Sequence, residues 1–180
     1  MTSVRAIWLP TLAAALALTG AARAEVIDAQ SNGFEVTQTA DIAAPISKVW
    51  PALGHIADWW NPKHTFSGSA KNLTIDLSVG GCFCETLPLG GSSNHLTVIF
   101  VRPGQLVRFS GALGPLQSMG VIGHLTWTMT EKDGHTAFTQ TYDVGGYVKG
   151  GAAQLAAPVD GVLGEQLARL KKYVETGAPA

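Results

Sequence analysis

Three things missing from this chain each remove a class of function. There is no basic cluster: 12 Lys and Arg are scattered among 13 Asp and Glu, for a formal net charge of −1. The electrostatic footprint of a nucleic-acid binder is therefore absent, and nucleic acid is not an expected partner. After Glu25 no apolar run reaches the ~20 residues of a spanning helix, because apolar positions alternate with polar ones or recur at helical spacing. No stable membrane insertion of the mature chain is expected. There is also no G-x-S-x-G elbow and no cysteine-protease signature. His55, His64, His95, His124 and His135 are dispersed, never at the i, i+2 or i, i+4 spacing that puts two ligands on one face. No metal site and no cofactor is expected, and no catalytic residue is assigned.

Charge is scarce in general, at 14% of residues against ~25% in ordinary soluble domains. The polar surface must lean on Thr, Ser, Asn, Gln and Gly. Cysteine is nearly absent too, with only Cys82 and Cys84, separated by Phe83. On an extended strand such residues share a face with Cα atoms about 6.5 Å apart, at the upper edge of disulfide geometry, and their Cβ vectors run parallel. That spacing favours two buried free thiols over a strained redox pair or a thiolate metal site.

What is present begins with a secretory signal. Arg5 supplies a positive start, Ala6 to Leu18 a short apolar segment, and Ala22-Arg23-Ala24 the small-x-small pattern of a cleavage site. Pro10, Thr11 and Thr19 interrupt the run, so a retained anchor is the weaker alternative. The expected organisation is a signal peptide over 1–24 and a single domain over 25–180, secreted or periplasmic.

From Phe34 to Ile42, Phe34, Val36, Gln38, Ala40 and Ile42 alternate with polar residues, the pattern of a half-buried strand. Ala43-Ala44-Pro45 ends it, and Ile46, Val49, Trp50 and Leu53 follow at helical spacing, with a second brief turn at Ile56, Trp59 and Trp60. Period-two segments then recur at Leu73–Val79, Cys82–Leu87, His95–Arg102, Leu106–Ser110, and on either side of a Lys132-Asp133-Gly134 turn. Gly111 to Gly123 has no sustained period and reads as an apolar loop, a candidate lid. After Gly150-Gly151 the period becomes 3.6. Leu155, Val159, Val162, Leu163, Leu167, Leu170 and Val174 form one stripe, which must lie on the sheet.

Strand, two short helices, about six antiparallel strands and a long terminal helix is the order of the helix-grip fold. The chain resembles the SRPBCC superfamily, which includes START domains, birch-pollen-allergen-like proteins and polyketide cyclases. The residues that carry this resemblance are Ile42-Ala43-Ala44-Pro45 with Val49-Trp50, Asp58-Trp59-Trp60, Val79-Gly80-Gly81, and the stripe from Val159 to Tyr173. The resemblance implies an α+β domain, a curved antiparallel sheet of six to seven strands wrapped around the terminal helix, with an apolar cavity between them. It implies no shared catalytic motif. The secretory signal departs from the cytosolic ATPase-activator branch.

Polar residues on apolar strand faces are informative, because burying them unpaired costs ~1–3 kcal/mol. Gln140 and Tyr142, with Phe138 on the same strand face, are candidate ligand contacts. So are Glu85 and Arg108, as an acid/base or clamp pair, and Trp127 as a flat apolar wall. Trp59 and Trp60 are adjacent on one turn, so one of them is expected at the cavity mouth. The leading expectation is an exported protein that binds a small apolar ligand, lipid-like, aromatic or polyketide-like. A cyclase- or dehydratase-type enzyme using the same cavity is the alternative, and a protein-interaction module without small ligand is a third class.

Overall fold

The computed structural model describes residues 23–179; the expected signal segment lies outside them except for Arg23 and Ala24. The chain runs β1 (Arg23–Gln30), β2 (Gly33–Ile42), α1 (Ile46–Gly54), α2 (Ile56–Trp59), β3 (Leu73–Ile75), β4 (Cys82–Thr86), β5 (Ser92–Arg102), β6 (Leu106–Gly111), β7 (Gly120–Lys132), β8 (His135–Tyr147) and α3 (Ala153–Thr176). All strands join one antiparallel sheet in the order β1-β2-β8-β7-β6-β5-β4-β3.

The alternation anticipated for β2 holds, with Phe34, Val36, Gln38, Ala40 and Ile42 buried. In β7 and β8, Leu125, Trp127 and Met129 meet Tyr142, Gln140 and Phe138 across the ladder, on the inner face. Their hairpin turns at Asp133 and Gly134, both with positive φ, at 53° and 77°, as a tight type I′ connection requires.

Eight strands replace the expected six to seven. The added one is β1, which pairs with β2 from Gln30↔Gly33 to Arg23↔Thr39. Its residues from Glu25 onward are exposed, so no apolar alternation marks it. Strand β3 is shorter than anticipated, ending at Ile75, and Val79 is exposed. The expected loop holds only in part. It is confined to a short 3₁₀ segment, Gly114–Ser118, and its flanks, and β7 already begins at Gly120.

Cys82 and Cys84 are bonded to each other, which corrects the free-thiol expectation. Their Cα atoms are 5.4 Å apart, closer than the ~6.5 Å of a regular extended strand, at the point where the pairing of β4 with β5 shifts register, between Phe83 and Cys84. Phe83 and Glu85 are buried, which leaves the disulfide on the opposite, outer face.

Helix α3 packs chiefly against β2 and β1. Its stripe divides. Leu163, Leu167 and Leu170 are buried at 1–2% exposure, whereas Leu155, Val159 and Val162 before them, and Val174 near the helix end, are half-buried. Pro158 sits within the helix and Gly177, with φ 81°, ends it in the left-handed conformation. Helix α3 is tied to the end of α2 and to the segment after it: Arg169 Nε donates to the Trp59 carbonyl at 2.8 Å, and Asn61 N donates to Gln166 Oε1 at 2.8 Å.

Candidate ligand pocket

The half-buried part of the α3 stripe faces a pocket of about 330 Å³, within the ordinary range for small-molecule sites. Four segments build it. Leu155, Pro158, Val159, Val162 and Leu163 come from α3; Trp60, Lys63, His64, Thr65 and Phe66 from the segment after α2; Leu73, Phe83 and His95 from β3, β4 and β5; and Leu113, Gly114, Pro115, Leu116 and Met119 from the segment before β7.

One wall is aromatic. Trp60 meets Phe83 edge-on with ring centroids 5.3 Å apart, Phe83 meets His95 at 5.2 Å, and Phe66 stacks on His95 at 5.4 Å. Trp60 lies in this wall because α2 ends at Trp59 and Trp60 is already extended. The two adjacent indoles lie against each other, ring centroids 5.8 Å apart and tilted by 55°, and both are buried, at 1% and 5% exposure, against the expectation that one stands at a mouth. Trp59 turns to the core beside Trp127, centroids 6.4 Å apart, and its N–H donates to the Ala52 carbonyl. The half-exposed aromatic at the rim is Phe66, which the alternation arguments did not single out.

His95 is the one polar side chain in this wall, and a β-bulge puts it there. Opposite β4, Phe83 pairs with Leu96 and Cys84 with Asn94, so His95 is an extra residue in β5. Strict alternation would face Leu96 inward and His95 outward; the bulge buries both, at 1% and 6% exposure. His95 Nε2 lies 3.0 Å from Glu85 Oε2, and its Nδ1 lies 3.0 Å from Gln117 Nε2. The Ser93 hydroxyl donates to Gln117 Oε1 at 3.1 Å, which directs the amide nitrogen at Nδ1. Those bonds place the ring proton on Nε2, donated to Glu85.

Glu85 is fully buried and also accepts from Phe66 N at 3.0 Å and Ser67 N at 2.5 Å. Burial pushes its carboxyl up, but the Ser67, Phe66 and His95 hydrogen bonds outweigh burial and hold it below the usual carboxylate range. The anticipated Glu85–Arg108 pair does not form. Arg108 lies on the exposed face of β6, its Nε bonded to Thr126 Oγ1 at 3.0 Å. Its immediate neighbours Val107 and Phe109 are buried, the alternation that places Arg108 outside.

The other candidates are interior but do not line this pocket. Trp127 Nε1 donates to Gln140 Oε1 at 2.8 Å, Gln140 Nε2 donates to Gln38 Oε1 at 2.9 Å and to the Leu163 carbonyl at 3.2 Å, and Gln38 Nε2 donates to Asp160 Oδ1 at 2.7 Å. These polar groups satisfy one another and fasten β2, β7 and β8 to α3. Phe138 packs on Trp127 in the same core, centroids 6.2 Å apart. Tyr142 has a different task. Its hydroxyl donates to the Gly111 carbonyl at 3.2 Å and accepts from Leu113 N at 3.1 Å, anchoring the base of the Leu113–Met119 wall. Burial pushes this phenol up to about 12. The ring reaches across β7 over Gly123, where a Cβ would stand 2.6 Å from it.

A curved antiparallel sheet gripping a terminal helix, with a pocket between them, defines the helix-grip class of protein. Residues 33–175 match the family described as "Polyketide cyclase / dehydrase and lipid transport", and the chain belongs to it. Among solved structures it is similar to CalU16 from Micromonospora echinospora, with 13% identity, TM-score 0.56 and coverage of 86% of this chain and 88% of that one. A conserved protein of unknown function from Enterococcus faecalis, EF2215, aligns with TM-score 0.61 and 14% identity over 86% of this chain and 78% of its own. DynU16, a protein of the dynemicin biosynthetic locus, aligns with TM-score 0.55 and 22% identity over 81% of this chain and 48% of its own. At these identities the likeness establishes the fold. No curated protein matches the chain.

Proposed function

We propose that the protein binds one small apolar molecule in the pocket between α3 and the aromatic wall. The observation that carries this reading is the divided helix stripe. Leu155, Val159 and Val162 keep the period of buried residues yet stay half-buried, because they face the pocket instead of the sheet. Apolar walls with few polar groups are the common form of a small-molecule site.

An uncharged, environment-sensitive dye such as Nile red is expected to bind saturably, in one copy, and to be displaced by long-chain or polycyclic compounds. Trp60→Ala should weaken binding by about 1–3 kcal/mol, and Val162→Trp, which fills the chamber from the helix side, should abolish it with the thermal melt preserved. Absence of saturable binding would favour an interaction module instead.

A second reading, acid/base catalysis in the same pocket, is favoured by His95. Its Nε2–H is held by a buried carboxylate and its Nδ1 is covered only by the Gln117 amide, so moving that amide frees a lone pair for proton abstraction. Chemical change in an offered ligand, lost in His95→Phe with binding retained, would mark the protein as an enzyme.

Export belongs to this proposal as well. Arg5, the short apolar segment and Ala22-Arg23-Ala24 support removal of residues 1–24. Intact-mass measurement of the periplasmic fraction should give a chain starting at Glu25; a species retaining Met1 would sink the soluble-carrier reading.

A further inference from the structure

We propose that the pocket selects apolar ligands bearing one anionic group, a carboxylate on an alkyl or polycyclic body, with that group seated at the Lys63 ammonium. The proposal rests on the binding function argued above and adds the chemistry of the ligand's polar end. Among the described residues no acidic side chain lines the pocket, and Lys63 is the one lining residue with a permanent charge. Among the described residues the Lys63 ammonium has no carboxylate partner.

The nearby carboxylate, Glu165, is already engaged. It accepts from Asn61 Nδ2 and contacts His64 Nε2 at 2.9 Å, and the Arg169 guanidinium acts on it as well. Glu165 is thus taken up by Asn61, His64 and Arg169, and none of its contacts is to Lys63. The backbone beneath Lys63 is fixed: its N–H donates to Asn61 Oδ1 at 2.9 Å, and Trp60 Nε1 donates to the His64 carbonyl at 3.0 Å.

Deeper in, a charge finds nothing. Trp60, Phe83, Val159 and Leu163 offer no hydrogen bond, and His95 is occupied at both ring nitrogens. An ionised group sent there would be desolvated without compensation. Orientation follows: apolar body inward, anion at the rim, where Lys63 is exposed but borders low-dielectric walls.

The test is displacement of Nile red by decanoate, decanol and decylamine from the full-length folded protein at neutral pH. Decanoate should bind about two- to fivefold more tightly than decanol at low salt, with decylamine weakest, and the ratio should shrink in 0.5 M sodium chloride. Lys63→Gln should bring decanoate and decanol together, Lys63→Glu should place decylamine ahead of decanoate, and Lys132→Gln, at the β7–β8 hairpin, should leave the wild-type ratio intact. Equal affinities for decanoate and decanol in the wild type, or a preference that survives Lys63→Gln, would overturn the charge selection while leaving the binding function standing. If none of the three displaces the dye and the dye itself does not bind, both fall.

Discussion

Leu167→Asp is expected to leave no cooperatively folded protein at room temperature. Leu167 is 2% exposed and lies, with Leu163 and Leu170, in the part of α3 that seals the sheet. An aspartate there buries a charge with no partner, a change costing about 4 kcal/mol or more, against a total stability of ~5–15 kcal/mol for ordinary domains. Leu170→Asp should behave alike, and Leu167→Met should cost under about 1.5 kcal/mol. Far-UV circular dichroism and thermal melts decide it. A near-wild-type melt in Leu167→Asp would show that α3 does not pack as described.

The second large effect is centred on Glu85. Glu85→Ala strands the Phe66 and Ser67 N–H groups and the His95 Nε2–H together, so a loss of about 3–5 kcal/mol is expected, with the smaller loss in Glu85→Gln, which retains one acceptor. The pH dependence has a definite sign. The folded carboxyl lies below its ordinary value of 4.5, so its contribution is fully present above that pH and disappears as the pH falls through the folded value. Glu165, whose burial is outweighed by hydrogen bonds from Asn61 and His64, is lowered too and adds to the same acid limb. Glu35 pulls the other way, raised by burial and by Asp143 and Asp28 beside it. Denaturant melts from pH 7 to pH 3 should show stability falling below about pH 4.5, less steeply in Glu85→Gln. An unchanged slope in that variant would mean Glu85 is not the group being titrated.

Most of the sheet was legible because burial on one face writes a period of two into β2, β7 and β8, and packing on one side writes a period of 3.6 into α3. Strand β1 left no such mark, since its residues from Glu25 on are exposed and only its backbone pairs. The disulfide was illegible for a related reason: residues i and i+2 of a regular strand stand about 6.5 Å apart, whereas Cys82 and Cys84 are 5.4 Å apart where the β4–β5 pairing shifts register. For the site, Glu85 and Trp60 could be singled out, Glu85 as one half of a pair with Arg108 that the structure does not form. Its observed partner could not, because a bulge is a pairing property and His95 by alternation faces outward. Gln140 and Tyr142 were recognisable as buried polar groups, but a sequence writes the same pattern whether the partner is a ligand, another strand or a loop.

The bulge also bears on how such a wall can change through insertion and deletion. On both sides of His95 the pairing of β5 with β4 is regular, Phe83 with Leu96 and Cys84 with Asn94. Removing the single codon for residue 95 would close the ladder with every neighbour still on its own face, and the pocket would lose its one interior titratable group. The imidazole is thus modular, separable from the sheet that displays it. Its cost falls on Gln117, whose amide loses its acceptor, and above all on Glu85, which would then sit buried with only the Phe66 and Ser67 amides, so a viable deletion would need a second change at that residue.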